Sequence, residues 1–280
     1  MTSEARRTEG VNGMLRRSNA LRLFTGIALA ALLVLSLSAT AGAKQGPKPG
    51  KGQPKVTLCH KGHVTIRVGL PAVKAHLRHG DTLGPCTGHA PAPGTATLAV
   101  IKQVSNDSGG TRTAADFTIT INGVSATGGN SFAGSGSGVV KTITTFGAYS
   151  VTESTVPGYA LTGSSAGCSG TIAAGQQKLC VLTNDDIAAR LTVVKQVVND
   201  HGGTKTAADF TITINGVSAV GGNTFAGSAA GTTKTLSSVG AYSVTETAVA
   251  GYALQSASAG CSGTIALGES KTCVLTNNDV

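Results

Sequence analysis

The chain has no tryptophan, only two methionines, 4% aromatic residues and 12% charged residues among 280. So few charges exclude a disordered polyelectrolyte. So little aromatic surface means any core is small and gains from cross-links. No nucleophile elbow, no HExxH and no Ser/His/Asp set confined to one pocket is present, which argues against a hydrolase. A basic face is missing as well: residues 95–280 hold nine basic and ten acidic residues, so a nucleic-acid partner is not expected. The net charge of +9 comes instead from the first 94 residues. What the chain has in abundance is glycine, 39 residues, together with serine and threonine. That composition reads as many short strands separated by turns.

Arg16, Arg17 and Arg22 precede an apolar run over residues 24–37, and Ala39-Thr40-Ala41 and Ala41-Gly42-Ala43 follow it. This is the pattern of a secretory signal peptide, assigned to residues 1–43. The alternative, a membrane anchor, needs about 20 apolar residues and the run is shorter. The expectation is a secreted or extracellular protein, with or without retention at the cell surface. CVLTNNDV at the end has no apolar tail, so no membrane contact is expected after signal cleavage. All six cysteines follow the signal, an even number suited to an oxidising compartment. Residues 44–55 read as a basic Pro/Gly linker, 56–90 as a small Cys/His-rich unit, and 91–97 as a second linker.

An internal repeat with a period of 93 residues dominates the remainder: 63 of 89 positions are identical between Leu98–Asp186 and Leu191–Asp279. The repeats are assigned to 98–187 and 190–280, and so short a joint makes a stiff tandem. Alternation in LAVIKQV, DFTITING, AYSVTE and CVLTN, with Gly-rich turns between, reads as about seven strands per repeat, the spacing of a β-sandwich. Asn106-Asp107 and Asn199-Asp200 precede Gly-Gly pairs, which is turn chemistry; a calcium site there or at Asp185/Asp186 is the alternative.

Three polar residues per repeat break the pattern. Leu98, Val100 and Lys102 share one strand face, as do Tyr149, Val151 and Glu153, and Cys180, Leu182 and Asn184. Repeat 2 does the same with Lys195, Glu246 and Asn277. Period-2 parity therefore turns a Lys, a Glu and an Asn inward. Unpaired, they are costly there, so they are expected to meet.

AYSVTESTVPGYAL and AYSVTETAVAGYAL resemble the E box of pilin and adhesin domains. With the first-strand Lys and last-strand Asn, the repeats resemble the collagen-adhesin B-type, SpaA-like, prealbumin-like domains of bacterial surface proteins. The resemblance implies two tandem prealbumin-like (Ig-like) β-sandwiches in a mainly β chain. It implies that the Lys amine attacks the Asn amide, releasing ammonia, while the Glu shuttles protons. Lys102 then joins Asn184 with Glu153 assisting, and Lys195 joins Asn277 with Glu246 assisting. A buried Lys–Glu ion pair capped by Asn is the alternative. Pro157 of the motif is Ala250 in repeat 2, a departure from the family pattern.

Cys168 and Cys180, and Cys261 and Cys273, bracket matching segments of the two repeats and are expected to form local disulfides. In the small unit, residues 56–68 read as a hairpin turning at Lys61-Gly62, and Pro71–His79 as a short helix, giving a ββα module. A Cys59–Cys86 disulfide is favoured there. Zinc is the alternative cofactor, with His60, His63, His76 and His79 as candidate ligands. CHKGH…AHLRHGDTLGPC resembles a small module of other secreted bacterial proteins. The leading functional reading is a non-catalytic structural or adhesive protein, its repeats a rigid stalk. The partner expected is a component of extracellular matrix, host or cell-wall surface, unidentified. The alternative is a secreted metal- or ligand-binding protein acting through the Cys/His module.

Overall fold

The computed structural model describes residues 55–86 and 94–280. The signal peptide at 1–43, nearly all of the 44–55 linker and residues 91–93 of the second lie outside the described residues. Three bodies follow one another: a small module and two β-sandwiches.

The module opens with an antiparallel hairpin, β1 Lys55–His60 and β2 Val64–Gly69. Its turn bends at Lys61 and Gly62, both at positive φ, 50° and 74°. Helix α1, Leu70–Arg78, starts with Pro71 in its first turn, where a missing N–H costs nothing. Gly80 at φ 88° reverses the chain after α1, and β3 Thr82–Leu83 returns to pair with β1.

Repeat 1 contains β4 Ala96–Ser105, β5 Thr118–Asn122, β6 Ser131–Ala133, β7 Val139–Ile143, β8 Gly147–Glu153, β9 Tyr159–Ser164, β10 Ser169–Ile172 and β11 Gln177–Asp186. That is eight strands where the sequence indicates about seven. The short β6 has only three residues, too few to register as an alternating run. The strands form two four-stranded sheets, ordered β7-β4-β11-β9 and β10-β8-β5-β6. β4 and β11, the first and last strands, run parallel at the centre of their sheet, in register from Thr97↔Gln177 to Ser105↔Asp185.

Repeat 2 copies this design with β12 Arg190–Val198, β13 Thr211–Asn215, β14 Thr224–Ala226, β15 Thr232–Thr235, β16 Gly240–Glu246, β17 Tyr252–Ala257, β18 Ser262–Ile265 and β19 Ser270–Asp279. Its sheets are β15-β12-β19-β17 and β14-β13-β16-β18, with β12 and β19 parallel. Inward positions of both sheets fill each core, Leu98, Val100, Ile119, Ile121 and Leu182 in repeat 1 and Leu191, Val193, Ile212, Ile214 and Leu275 in repeat 2. Among the described residues no helix is long and apolar enough to cross a membrane.

One sandwich differs from the other on its outer face. In repeat 1 the outward residues Ala99 and Ile101 are as buried as the inward ones. The module covers them with Val56, Leu58, Val73 and Leu83, and Leu179 and Val181 of β11 pack alongside. Gln177 fastens the contact. Its Oε1 accepts the Leu83 N–H at 2.8 Å, and its Nε2 donates to the Asp81 carbonyl at 3.4 Å. Repeat 2 carries Thr192, Val194, Ser270, Thr272 and Val274 at the matching positions, a more polar surface with no module upon it.

The two sandwiches are joined by backbone as well as by chain continuity. Gly268 N–H of repeat 2 donates to the carbonyl of Ile187, which ends repeat 1, at 2.7 Å. Gly109 lies so close to repeat 2 that an added Cβ would stand 2.9 Å from Ser238 Cα and Val239 N.

Candidate functional site

The inward polar residues of each repeat meet. Lys102 projects from β4 into the core and is 1% exposed; Lys195, from β12, is fully buried. Asn184 lies on the neighbouring parallel strand β11, two residues beyond Leu182, which pairs with Lys102. Glu153 ends β8 in the opposite sheet, so the cluster bridges the sandwich. Lys102 Nζ donates to Asn184 Oδ1 at 2.5 Å and to the Gln103 carbonyl at 3.2 Å, and stands 3.1 Å from Glu153 Oε2. That last contact is near in distance but poorly aligned, and Oε2 has no hydrogen bond of good geometry. Repeat 2 reproduces the set: Lys195 Nζ to Asn277 Oδ1 is 2.5 Å, to the Gln196 carbonyl 3.2 Å and to Glu246 Oε2 3.2 Å. Each ammonium faces an aromatic ring, Phe117 or Phe210, with the centroid 4.3 Å away.

This environment decides the state of the amine. Burial pushes Lys102 and Lys195 below the usual lysine range; the adjacent carboxylates of Glu153 and Glu246 push back only in part. A neutral amine, the nucleophilic form, is therefore brought within reach. Since a carbonyl bond is about 1.23 Å long, Nζ at 2.5 Å from Oδ1 lies no more than about 3.7 Å from the amide carbon. A groove of about 330 Å³ lined by Glu153, Tyr159, Leu161 and Asn184 opens beside the cluster, and one of about 330 Å³ lined by Glu246, Tyr252, Leu254 and Asn277 does so in repeat 2.

A second polar device lies two residues further along the last strand. Asp186, the last residue of β11, is buried, and its carboxylate accepts the N–H groups of Asp107, Ser108 and Gly110 at 2.6–3.0 Å. Asp279 does the same for Asp200, His201 and Gly203. Burial alone raises the Asp279 carboxyl, but these backbone donors outweigh it and hold the group below the usual carboxylate range. Tyr159 closes the loop, its hydroxyl donating to Asn106 Oδ1 and accepting from Arg112 N–H. The Gly-Gly pairs are thus more than turn chemistry. A Cβ on Gly110 would fall 2.2 Å from the Tyr159 hydroxyl, and on Gly203 2.2 Å from that of Tyr252. The sequence indicated Asp186 only as an alternative calcium ligand and did not mark Asp279, although both lie on the inward parity of Asn184 and Asn277.

Three disulfides are present, Cys59–Cys86, Cys168–Cys180 and Cys261–Cys273, and among the described residues no cysteine is free. The cysteines are therefore not metal ligands. The four candidate histidines of the module divide. His60, at the end of β1, and His76, in the last turn of α1, converge on Asp81, a residue the sequence reading did not single out. His63 in the hairpin turn and His79 at the helix end are exposed and lie outside that group.

Comparison with known proteins gives the following. A family model described as a prealbumin-like fold domain matches residues 94–184 and again 186–279. Among solved structures, the Bacillus anthracis TIE protein is 18% identical over 67% of this chain, with a TM-score of 0.40; the chain spans 34% of its length. The major pilin protein T-13 of Streptococcus pyogenes is 12% identical over 68% of this chain and 98% of its own, with a TM-score of 0.32. The minor pilin GBS52 of Streptococcus agalactiae is 11% identical over 66% of this chain and 96% of its own, with a TM-score of 0.27. No curated protein sequence matches the chain.

Proposed function

This chain belongs to the family of prealbumin-like fold domains, in two tandem copies, and from that premise we propose that it is a non-catalytic structural or adhesive protein of the bacterial surface whose repeats lock themselves by intramolecular Lys–Asn isopeptides. The observation that carries the reading is the duplicated cluster: amine, amide and carboxylate at the same distances in both repeats, each amine buried against an aromatic ring.

The chemistry balances without a co-reactant. In low dielectric the Lys102 proton passes to Glu153, leaving a neutral amine and a carboxylic acid. Nζ attacks the Asn184 amide carbon and a C–N bond forms. Glu153 takes the second Nζ proton and delivers one to the departing nitrogen. The old C–N bond breaks and ammonia leaves by the adjacent groove. Lys195, Glu246 and Asn277 act in the same way. Each is a single self-directed event, not turnover. Export and a surface component of matrix, host or cell wall as partner fit this reading.

Intact-mass measurement of the reduced, mature protein tests it. The expected mass is lower than the sequence mass by two ammonias. Glu153→Gln and Glu246→Gln each restore one. A reduced mass equal to the sequence mass defeats the covalent reading and leaves a buried ion pair.

A further inference from the structure

The module carries a second cluster that the repeats lack. Asp81 has no exposed side-chain surface. Its Oδ2 is approached by His60 Nδ1 at 2.8 Å and by His76 Nδ1 at 2.6 Å, while its Oδ1 accepts the Lys61 backbone N–H at 3.1 Å. Three elements supply these groups. His60 closes β1, His76 sits in the last turn of α1, and Asp81 follows the left-handed Gly80. The Asp81 N–H donates to the His76 carbonyl at 3.2 Å, which turns Asp81 back over the helix end. The Cys59–Cys86 bridge next to His60, the β1–β3 pairing of Cys59 with Thr82 and the Gln177 clamp on the Asp81 carbonyl brace the same spot.

A buried carboxylate is costly unless backbone donors, as at Asp186 and Asp279, or a positive charge compensate it, and among the described residues Asp81 receives only one backbone N–H. Among the described residues the ion-pair partners of Asp81 are the two imidazoles; Lys61 contributes its backbone. Two neutral imidazoles satisfy hydrogen bonding but leave the negative charge uncompensated. A divalent ion at the point where Nδ1, Nδ1 and Oδ2 converge would compensate it. One ligand atom from each of the three residues lies within 4.8 Å of the other two. Widening the N···O separations by about half an ångström, a small ring rotation, brings them to those of ligands at about 2.0–2.2 Å from a metal.

We propose that His60, His76 and Asp81 form a divalent-metal site of the zinc class in the small module. Two imidazoles and one carboxylate select zinc and its neighbours over calcium, which takes oxygen donors. The side chains of His60 and His76 are 35% and 26% exposed, so a fourth position faces solvent and takes water. Bound there, the ion ties β1, α1 and the approach to β3 together. It withdraws His63 and His79 from the ligand set that the sequence indicated. The proposal is independent of the isopeptide chemistry.

The test uses the untagged mature chain, disulfides intact and stripped by chelator. Zinc chloride is titrated by calorimetry, and cobalt(II) by absorption. The expected result is one zinc per chain, with affinity falling at least about tenfold in His76→Gln and in Asp81→Asn, and changing less than about twofold in His63→Ala and His79→Ala. Equal weakening by all four substitutions, or failure to bind, overturns the site in favour of casual capture by surface histidines. If Asp81→Asn does not fold, the cobalt spectrum of the unsubstituted protein decides. Intense low-coordinate bands support the site; the weak spectrum of hydrated octahedral cobalt overturns it.

Discussion

An aspartate at the end of a strand determines more in this protein than its place in the sequence announces. Asp279 receives three backbone N–H groups, which hold its carboxyl below the ordinary range against the effect of burial. A carboxyl depressed in the folded state stabilises fully above its unfolded pKa of about 3.9, and that contribution disappears as pH falls through the folded value. Melting curves of the mature protein between about pH 6 and pH 2 should therefore show repeat 2 losing stability only below about pH 4. Asp279→Asn should flatten that limb while lowering the neutral-pH melting temperature, and an unchanged acid limb would refute the assignment. Residues like this are hard to read from sequence because an acid in TNND or HGD looks like turn punctuation. Lys102 was legible for the opposite reason: a lysine on the apolar parity of a strand has no bland explanation until it has a partner.

The strands themselves were legible wherever alternation lasted five residues or more, as in β5, β8 and β11. The three-residue β6 and β14 were not. Parity also located the lysine clusters, because Lys102 and Asn184 keep the inward phase of Leu98 and Leu182. What escaped was the outer face of β4. Ala99 and Ile101 differ from Thr192 and Val194 by little in the sequence, yet that difference records the docking of the module. The two faces predict unequal costs for similar cuts. Ile101→Ala removes a fully buried side chain at the module contact and should cost about 2–5 kcal/mol. Val194→Ala, on the uncovered face of repeat 2, should cost under about 1 kcal/mol. Thermal or denaturant unfolding of the two variants checks this; equal losses would mean that the module does not rest on β4.

At the scale of the whole molecule, the junction between repeats can be probed by a pair of identical substitutions. Gly109 and Gly202 hold the same turn at φ 96° and 90°, so alanine at either costs about 1 kcal/mol of left-handed strain. Only at Gly109 does the new Cβ meet the backbone of the next repeat, at Ser238 and Val239; at Gly202 nothing lies within 4 Å. Gly109→Ala should therefore spread the two sandwiches and change the small-angle scattering profile, whereas Gly202→Ala should leave that profile alone. Identical profiles would remove the junction's claim to stiffness.

The parallel pairing of first and last strands has a mechanical consequence. The chain enters each sandwich at one end and leaves at the other, so tension between the termini pulls β4 against β11, and β12 against β19, along their length. Paired positions sheared in this way must yield together, not one at a time as in a peeling hairpin. With Lys102 joined to Asn184, the 82-residue separation between them, about 280 Å of extended chain, cannot be paid out at all. The same holds for Lys195 and Asn277. The tandem then transmits a pull as an inextensible tether, and the folds between the bonded residues never feel it.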